Sequence, residues 1–204
     1  MKSKILIAFL LLTGFSAICS CSRELKRCNL TEAQKELIPY EKGQTISFLD
    51  KSGQSVNLTV IKSELGWEQY RQGSGFKVNY ISCRYISVKL ESEPNNFDIS
   101  LYLKAGDCLS GNDYCSLEIW IPPSPHQGYF VFSSDLEGNL SHNQYFHDSI
   151  KINNKVYYDV VECEFLRIYW SIDEPEISMQ LYYNKMYGIL QIIRDVENFL
   201  TINN

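Results

Sequence analysis

The sequence holds few of the residues that small reactive sites draw on. Only three histidines, His126, His142 and His147, occur in 204 residues. No Cys-x-x-Cys is present, which leaves zinc and thioredoxin-like chemistry without their usual ligands. There is no glycine-rich strand-to-helix turn, no phosphate-binding loop and no Gly-x-Ser-x-Gly elbow, which argues against a nucleotide-binding α/β fold and against serine-hydrolase catalysis. An excess of base is also lacking. The chain has 19 Lys and Arg against 24 Asp and Glu, a net charge of −5 and a pI near 5.3, which disfavours a nucleic-acid surface. No internal repeat or low-complexity segment appears. What is present is a 45% apolar, 13% aromatic chain of a length that suits one globular domain.

The N-terminus differs from the rest. Lys2 and Lys4 precede an eleven-residue apolar run, Ile5 to Phe15, and no acid occurs before Glu24. Such a run is too short to cross about 30 Å of hydrocarbon as a helix but suits a signal-peptide core. The following Ile18-Cys19-Ser20-Cys21 resembles the lipobox of bacterial lipoproteins. That resemblance implies removal of residues 1–20 as a signal peptide and acylation of Cys21. An ordinary secretory signal cut near Cys19 is the alternative. Each buried CH₂ contributes about 0.8 kcal/mol, so two or three acyl chains make a lasting anchor without a transmembrane helix. Cleavage would leave 17 basic and 24 acidic side chains, or −7. Ser22, rather than Asp, after the acylated Cys implies the outer membrane, with the face left open. Residues 21–29 read as a tether whose Arg23, Lys26 and Arg27 are solvated or touch anionic headgroups.

Residues 30–204 read as a single β-domain. Thr31 and Gln34 make a capping-box pattern for one short helix of about two turns, ended by Pro39. Beyond Gln44 the apolar period is close to two. Asp50–Gly53, Asn153-Asn154 and Asn184-Lys185 supply hairpin turns, and about eleven strands result. The expected fold is all-β: an antiparallel meander forming a sandwich or partly open barrel. Ser63–Gly75 reads as a polar loop, and the interrupted frame around Ser82–Arg84 as a bend or bulge.

Three segments carry a wider resemblance. They are Leu30–Phe48 followed by Lys51-Ser-Gly and Val56–Val60, the hairpin Lys151–Val160, and Leu181–Leu190. They look like uncharacterised lipoproteins of Bacteroides-type bacteria. The resemblance implies an envelope location and a β fold, and it brings no activity with it. Asp148-Ser149-Ile150 is similar to the Asp-Ser/Thr-aliphatic acceptor of the O-glycosylation system of those bacteria, which makes Ser149 a candidate for modification; an unmodified loop is the alternative.

Without residues 1–20 and an acylated Cys21, five cysteines remain: Cys28, Cys83, Cys108, Cys115 and Cys163. Cys108 and Cys115 bracket a loop rich in turn residues and form the candidate disulfide. Cys83 and Cys163 lie in strands and read as small buried residues. The three histidines read as surface loop residues, and no metal or cofactor is expected. Trp67, Tyr70 and Trp170 are candidate ligand-stacking rings, with covers for the ends of a β core as the plainer reading. The chain is thus expected to be a non-catalytic, membrane-anchored envelope protein that binds a glycan, a lipid or an envelope protein. A structural or surface interaction protein with no small ligand is the alternative.

Overall fold

A computed structural model describes residues 23–72, 79–92, 97–106, 108, 115–121, 128–133, 144–166, 178–194 and 197–203. Strands dominate: β1 (Arg23–Cys28), β2 (Thr45–Asp50), β3 (Ser55–Gln72), β4 (Asn79–Ser92), β5 (Phe97–Ala105), β6 (Cys115–Ile121), β7 (Gly128–Ser133), β8 (Gln144–Ile152), β9 (Lys155–Leu166), β10 (Ser178–Asn184), β11 (Gly188–Arg194) and β12 (Glu197–Ile202). The fold is all-β. One large, mostly antiparallel sheet has the order β7-β6-β5-β4-β3-β2-β12-β11-β10-β9-β8, so the meander is continuous apart from the β2–β12 junction. The sheet coils: β7 and β9, from its two ends, come into contact.

Coiling follows from the side-chain pattern. Along β5, Ile99, Leu101 and Leu103 are wholly buried while the residues between them are half-buried. A lone sheet cannot bury one face so completely, so it must fold over itself. Phe48, Leu58, Leu90, Leu117 and Ile119 on one side of the order and Leu181, Ile189, Leu190 and Ile192 on the other join in one core. Leu37, Ile38 and Tyr40 close it at one end.

The expected two-turn helix does not form, although its cap does. In the single α1 turn (Glu32–Lys35), Thr31 Oγ1 accepts from Gln34 N–H at 3.2 Å and Gln34 Oε1 accepts from Thr31 N–H at 2.8 Å. The helix ends there because Leu37 and Ile38 turn away to cover the core. Asn153 and Asn154 take φ of 47° and 65° in the β8–β9 turn, the left-handed region that Asn tolerates.

Four further expectations need correction. Arg23–Cys28 is a strand rather than a solvated tether: β1 lies parallel to β4, from Arg23 beside Asn79 to Cys28 beside Cys83. Ser63–Gln72 is the outer half of β3 rather than a loop, and pairs with β4 as far as Gln72–Asn79. The register slips at Ile61, between Val60 and Lys62, and stays regular through Ser82–Arg84. There the flanking neighbour of β4 changes from β1 to β5, and Ile81, Ser82 and Cys83 are buried in succession.

The disulfide is the fourth of these. Cys108 is bonded to Cys28, with Cα atoms 5.5 Å apart, and Cys115 is a buried thiol. The end of β1 abuts the end of β5, which brings Cys28 to Cys108; Cys115 begins β6 opposite Ala105 and is fully covered. Burial pushes the Cys115 and Cys163 thiols up to about 12. Among the described residues, no helix is long and apolar enough to cross a membrane.

Candidate functional site

The outer halves of β3 and β4, with β5 and β6 alongside, gather polar and aromatic side chains on the face opposite Leu101 and Leu103, around the buried Ile81 and Cys83. Register places them. Glu68, Tyr70 and Gln72 on β3 share that face with Ile81, Cys83 and Tyr85 on β4, Tyr102 and Lys104 on β5, and Ser116 on β6. Alternation along β5 sends Leu101, Leu103 and Ala105 to the core and Tyr102 and Lys104 outward. Gly66 makes room for this arrangement. A Cβ there would lie 2.5 Å from the Tyr85 ring, so only glycine lets the ring lie across the strand and stack on Tyr102 at 5.0 Å.

Glu68 is the polar centre. Its Oε2 accepts from the Tyr102 hydroxyl at 2.8 Å and from the Tyr70 hydroxyl. The Lys104 ammonium lies 4.9 Å from the centre of the Tyr70 ring, a cation–π distance. Burial alone would raise the Glu68 carboxyl, but the two phenol hydrogen bonds and the Lys104 charge outweigh it and hold the group below its ordinary value. Burial, then Glu68, pushes both phenols upward. At neutral pH Glu68 is therefore a carboxylate and both phenols are protonated. Beside it opens a cleft of about 330 Å³, lined by Tyr70, Gln72, Ile81, Cys83, Lys104 and Ser116 with Ala105 and Gly106. A second cleft of about 270 Å³ adjoins it at Ala105 and Gly106, bounded by β1 and the start of α1.

The lowered Glu68 value has a consequence for stability. A carboxyl depressed on folding stabilises the fold above its unfolded value, near 4.5, and loses that contribution as pH falls through the lower folded value. The unfolding free energy of the native chain should therefore exceed that of Glu68→Gln at pH 7, and the gap should narrow as pH falls below about 4.5 and through the lower folded value. Urea unfolding of both proteins at pH 7, 4.5 and 3 measures this, and a gap independent of pH would refute it.

The candidate residues from the sequence separate. Tyr70 lines the cleft, whereas Trp67 is on the other face, 39% exposed, with the guanidinium carbons of Arg84 and Arg27 at 4.8 and 5.5 Å from its ring centre. Trp170 and Cys21 lie outside the described residues, as do His126 and His142. Ser149 is exposed within β8, not in a loop before a strand. His147, also on β8 rather than a loop, has Nε2 2.7 Å from Glu162 Oε2, and it lines neither cleft. Among the described residues no group of His, Cys, Asp and Glu could hold a metal ion. Glu68, Tyr85, Tyr102 and Lys104 were not indicated by any motif. The available signal was Leu101-Tyr-Leu-Lys-Ala105, whose alternation places Tyr102 and Lys104 on a single outward face. No protein-family model, no curated protein and no solved structure matches the chain.

Proposed function

We propose that this is a lipid-anchored envelope protein of the Bacteroides-type lipoprotein group, held to the outer membrane through Cys21, and that its domain is a non-catalytic module binding a sugar ring of an envelope glycan at the Tyr70 cleft. The observation that carries the reading is the set of side chains around the cleft. An aromatic ring, an ammonium, an amide and a hydroxyl (Tyr70, Lys104, Gln72 and Ser116) line a space of about 330 Å³ together with Ile81 and Cys83, and the Glu68 carboxylate behind them holds the Tyr70 hydroxyl. A sugar offers an apolar face and several hydroxyls, which such a lining can stack against and hydrogen-bond. An acyl chain would leave these polar groups desolvated and unpaired, at a cost.

The test is calorimetric titration of residues 22–204 with a panel of neutral and acidic oligosaccharides. At least one should bind, and Tyr70→Ala should weaken it about tenfold or more, the loss of roughly 1.4 kcal/mol. Trp67→Ala, on the other face, should leave the affinity unchanged. The reading fails if no saccharide binds, or if Tyr70→Ala binds as well as the native chain.

A second reading, an interaction protein with no small ligand, draws on the β8–β9 hairpin. Tyr145, Phe146, Val156 and Tyr158 are each at least two-fifths exposed there, beside the edge strand β8.

A further inference from the structure

Three strands form a projection at one end of the sheet: β1, the outer half of β3 and the start of β4. Its charge runs against that of the chain. Arg23, Lys26, Arg27, Arg71 and Arg84 stand against only Glu24 and Glu68 on Arg23–Cys28, Trp67–Gln72 and Asn79–Arg84, while the chain from Cys21 onward carries −7. Glu68 is on the opposite face from Trp67 and committed to two phenols. Glu24 is held by Arg27 at 3.0 Å and by the Ser82 hydroxyl.

Apolar side chains accompany the bases. Leu25, Leu65 and Trp67 are 44%, 51% and 39% exposed. Arg27 and Arg84 each lie over the Trp67 ring. A guanidinium stacked on indole keeps N–H groups at its edge for phosphate oxygens; in Arg27 these are the terminal nitrogens, since its Nε donates to Glu24 at 3.0 Å. Arg, Trp and Leu side by side also make up the usual composition of a side-chain belt at a membrane interface.

The position of the projection identifies the partner. Cys21 precedes Arg23 by two residues, which span about 7 Å at most. Because β1 is a strand paired to β4 and tied by Cys28 to Cys108, no slack follows Arg23. An acyl anchor at Cys21 would therefore hold the Arg23 end of this projection close to the headgroups. We infer that the projection of β1, β3 and β4 is a membrane-docking surface for anionic phospholipid headgroups, with Arg27, Arg71 and Arg84 taking the phosphates and Trp67 and Leu65 entering the interface. The inference rests on the proposed anchor at Cys21. Its effect is to orient the domain and fix where the Tyr70 cleft lies relative to the bilayer.

The test uses residues 22–204, which hold every described residue but no acyl chain, with vesicles of phosphatidylcholine alone or with about one-third phosphatidylglycerol. Co-sedimentation is expected only with phosphatidylglycerol, and it should fall at least tenfold in Arg27→Gln/Arg84→Gln. The exposed pair Arg23→Gln/Arg71→Gln, which leaves the Trp67 stack intact, should weaken binding in the same direction and guards against a folding defect in the first variant. Equal sedimentation with both vesicle types, none with either, or full binding by both variants would overturn the inference. Radiolabelled palmitate incorporation into the full chain and into Cys21→Ala separately reports the anchor. Label lost in Cys21→Ala without vesicle binding overturns the docking surface alone; vesicle binding without label supports the surface and removes the anchor.

Discussion

Replacing Cys28 and Cys108 together by Ser is expected to lower the unfolding free energy by about 4 kcal/mol, the largest single loss that the structure assigns to any covalent feature. The magnitude comes from chain length. The bridge closes a loop with a sequence separation of 80, and the chain-entropy relation gives about 4–5 kcal/mol for a loop of that size. In a domain of this length such a loss corresponds to a melting temperature lower by roughly 8–16 °C. The bridge also keeps β1 in place. β1 contributes a parallel ladder to β4 and few buried side chains, since only Cys28 of its six residues is buried. Without the bond, β1 should fray first, and hydrogen exchange should show its amides losing protection ahead of β5 and β11. Cys115→Ser is the contrasting variant, because it removes a buried thiol and no cross-link. A peptide map under non-reducing conditions must yield Cys28 joined to Cys108. A Cys108–Cys115 peptide, or a double variant as stable as the native chain, would refute the assignment.

That pairing shows where the sequence could be read and where it could not. Signals completed within a few residues were legible. The Thr31–Gln34 capping box, the Asn153-Asn154 turn and the Asp50 loop, where Asp50 Oδ1 accepts from Ser52 N–H and Gln54 N–H, are local hydrogen-bond chemistry. The alternation of β5 and β6 was legible because one face of each is fully buried. β1 was not. Arg23–Cys28 is mostly charged and exposed, and only its partner β4, more than fifty residues on, makes it a strand. The outer half of β3 was hidden for a related reason: it overhangs the core, so both of its faces carry polar residues. Misreading it as a loop joined Trp67 and Tyr70 as one candidate pair. Read as a strand, their odd spacing places them on opposite faces, Trp67 with Arg27 and Arg84, Tyr70 with Glu68 and Lys104. The clefts depend on five separate segments meeting, and no one segment contains their pattern.

Gly188→Ala is expected to destabilise the domain by about 4 kcal/mol, through a glycine that carries no chemistry of its own. Gly188 follows the β10–β11 turn at φ 75°, where an L side chain is strained by about 1–2 kcal/mol. A Cβ there would lie 2.0 Å from the Tyr40 hydroxyl and 2.3 Å from its ring carbon. Tyr40 cannot swing aside freely. It is 5% exposed and closes one end of the core, and its hydroxyl accepts the Ile189 N–H at 2.6 Å. The neighbouring Tyr183 hydroxyl donates to the Leu37 carbonyl, so the same contact fixes the segment after α1 to the sheet. Burial pushes both phenols well above their ordinary range, so both keep their protons at neutral pH. Overpacking of about 1–3 kcal/mol adds to the backbone strain, and a displaced hydroxyl leaves the Ile189 N–H without its acceptor at about 1–3 kcal/mol. The double variant Tyr40→Phe/Gly188→Ala separates these contributions. Removing the hydroxyl alone should cost about 1–2 kcal/mol by orphaning the Ile189 N–H, yet in the Gly188→Ala background it should cost less, because the atom removed is the one that clashes. Strictly additive losses would mean that the hydroxyl does not meet the new methyl. A Gly188→Ala loss below about 1 kcal/mol would mean that Tyr40 yields, and that the segment after α1 is a loose cover rather than a fixed end of the core.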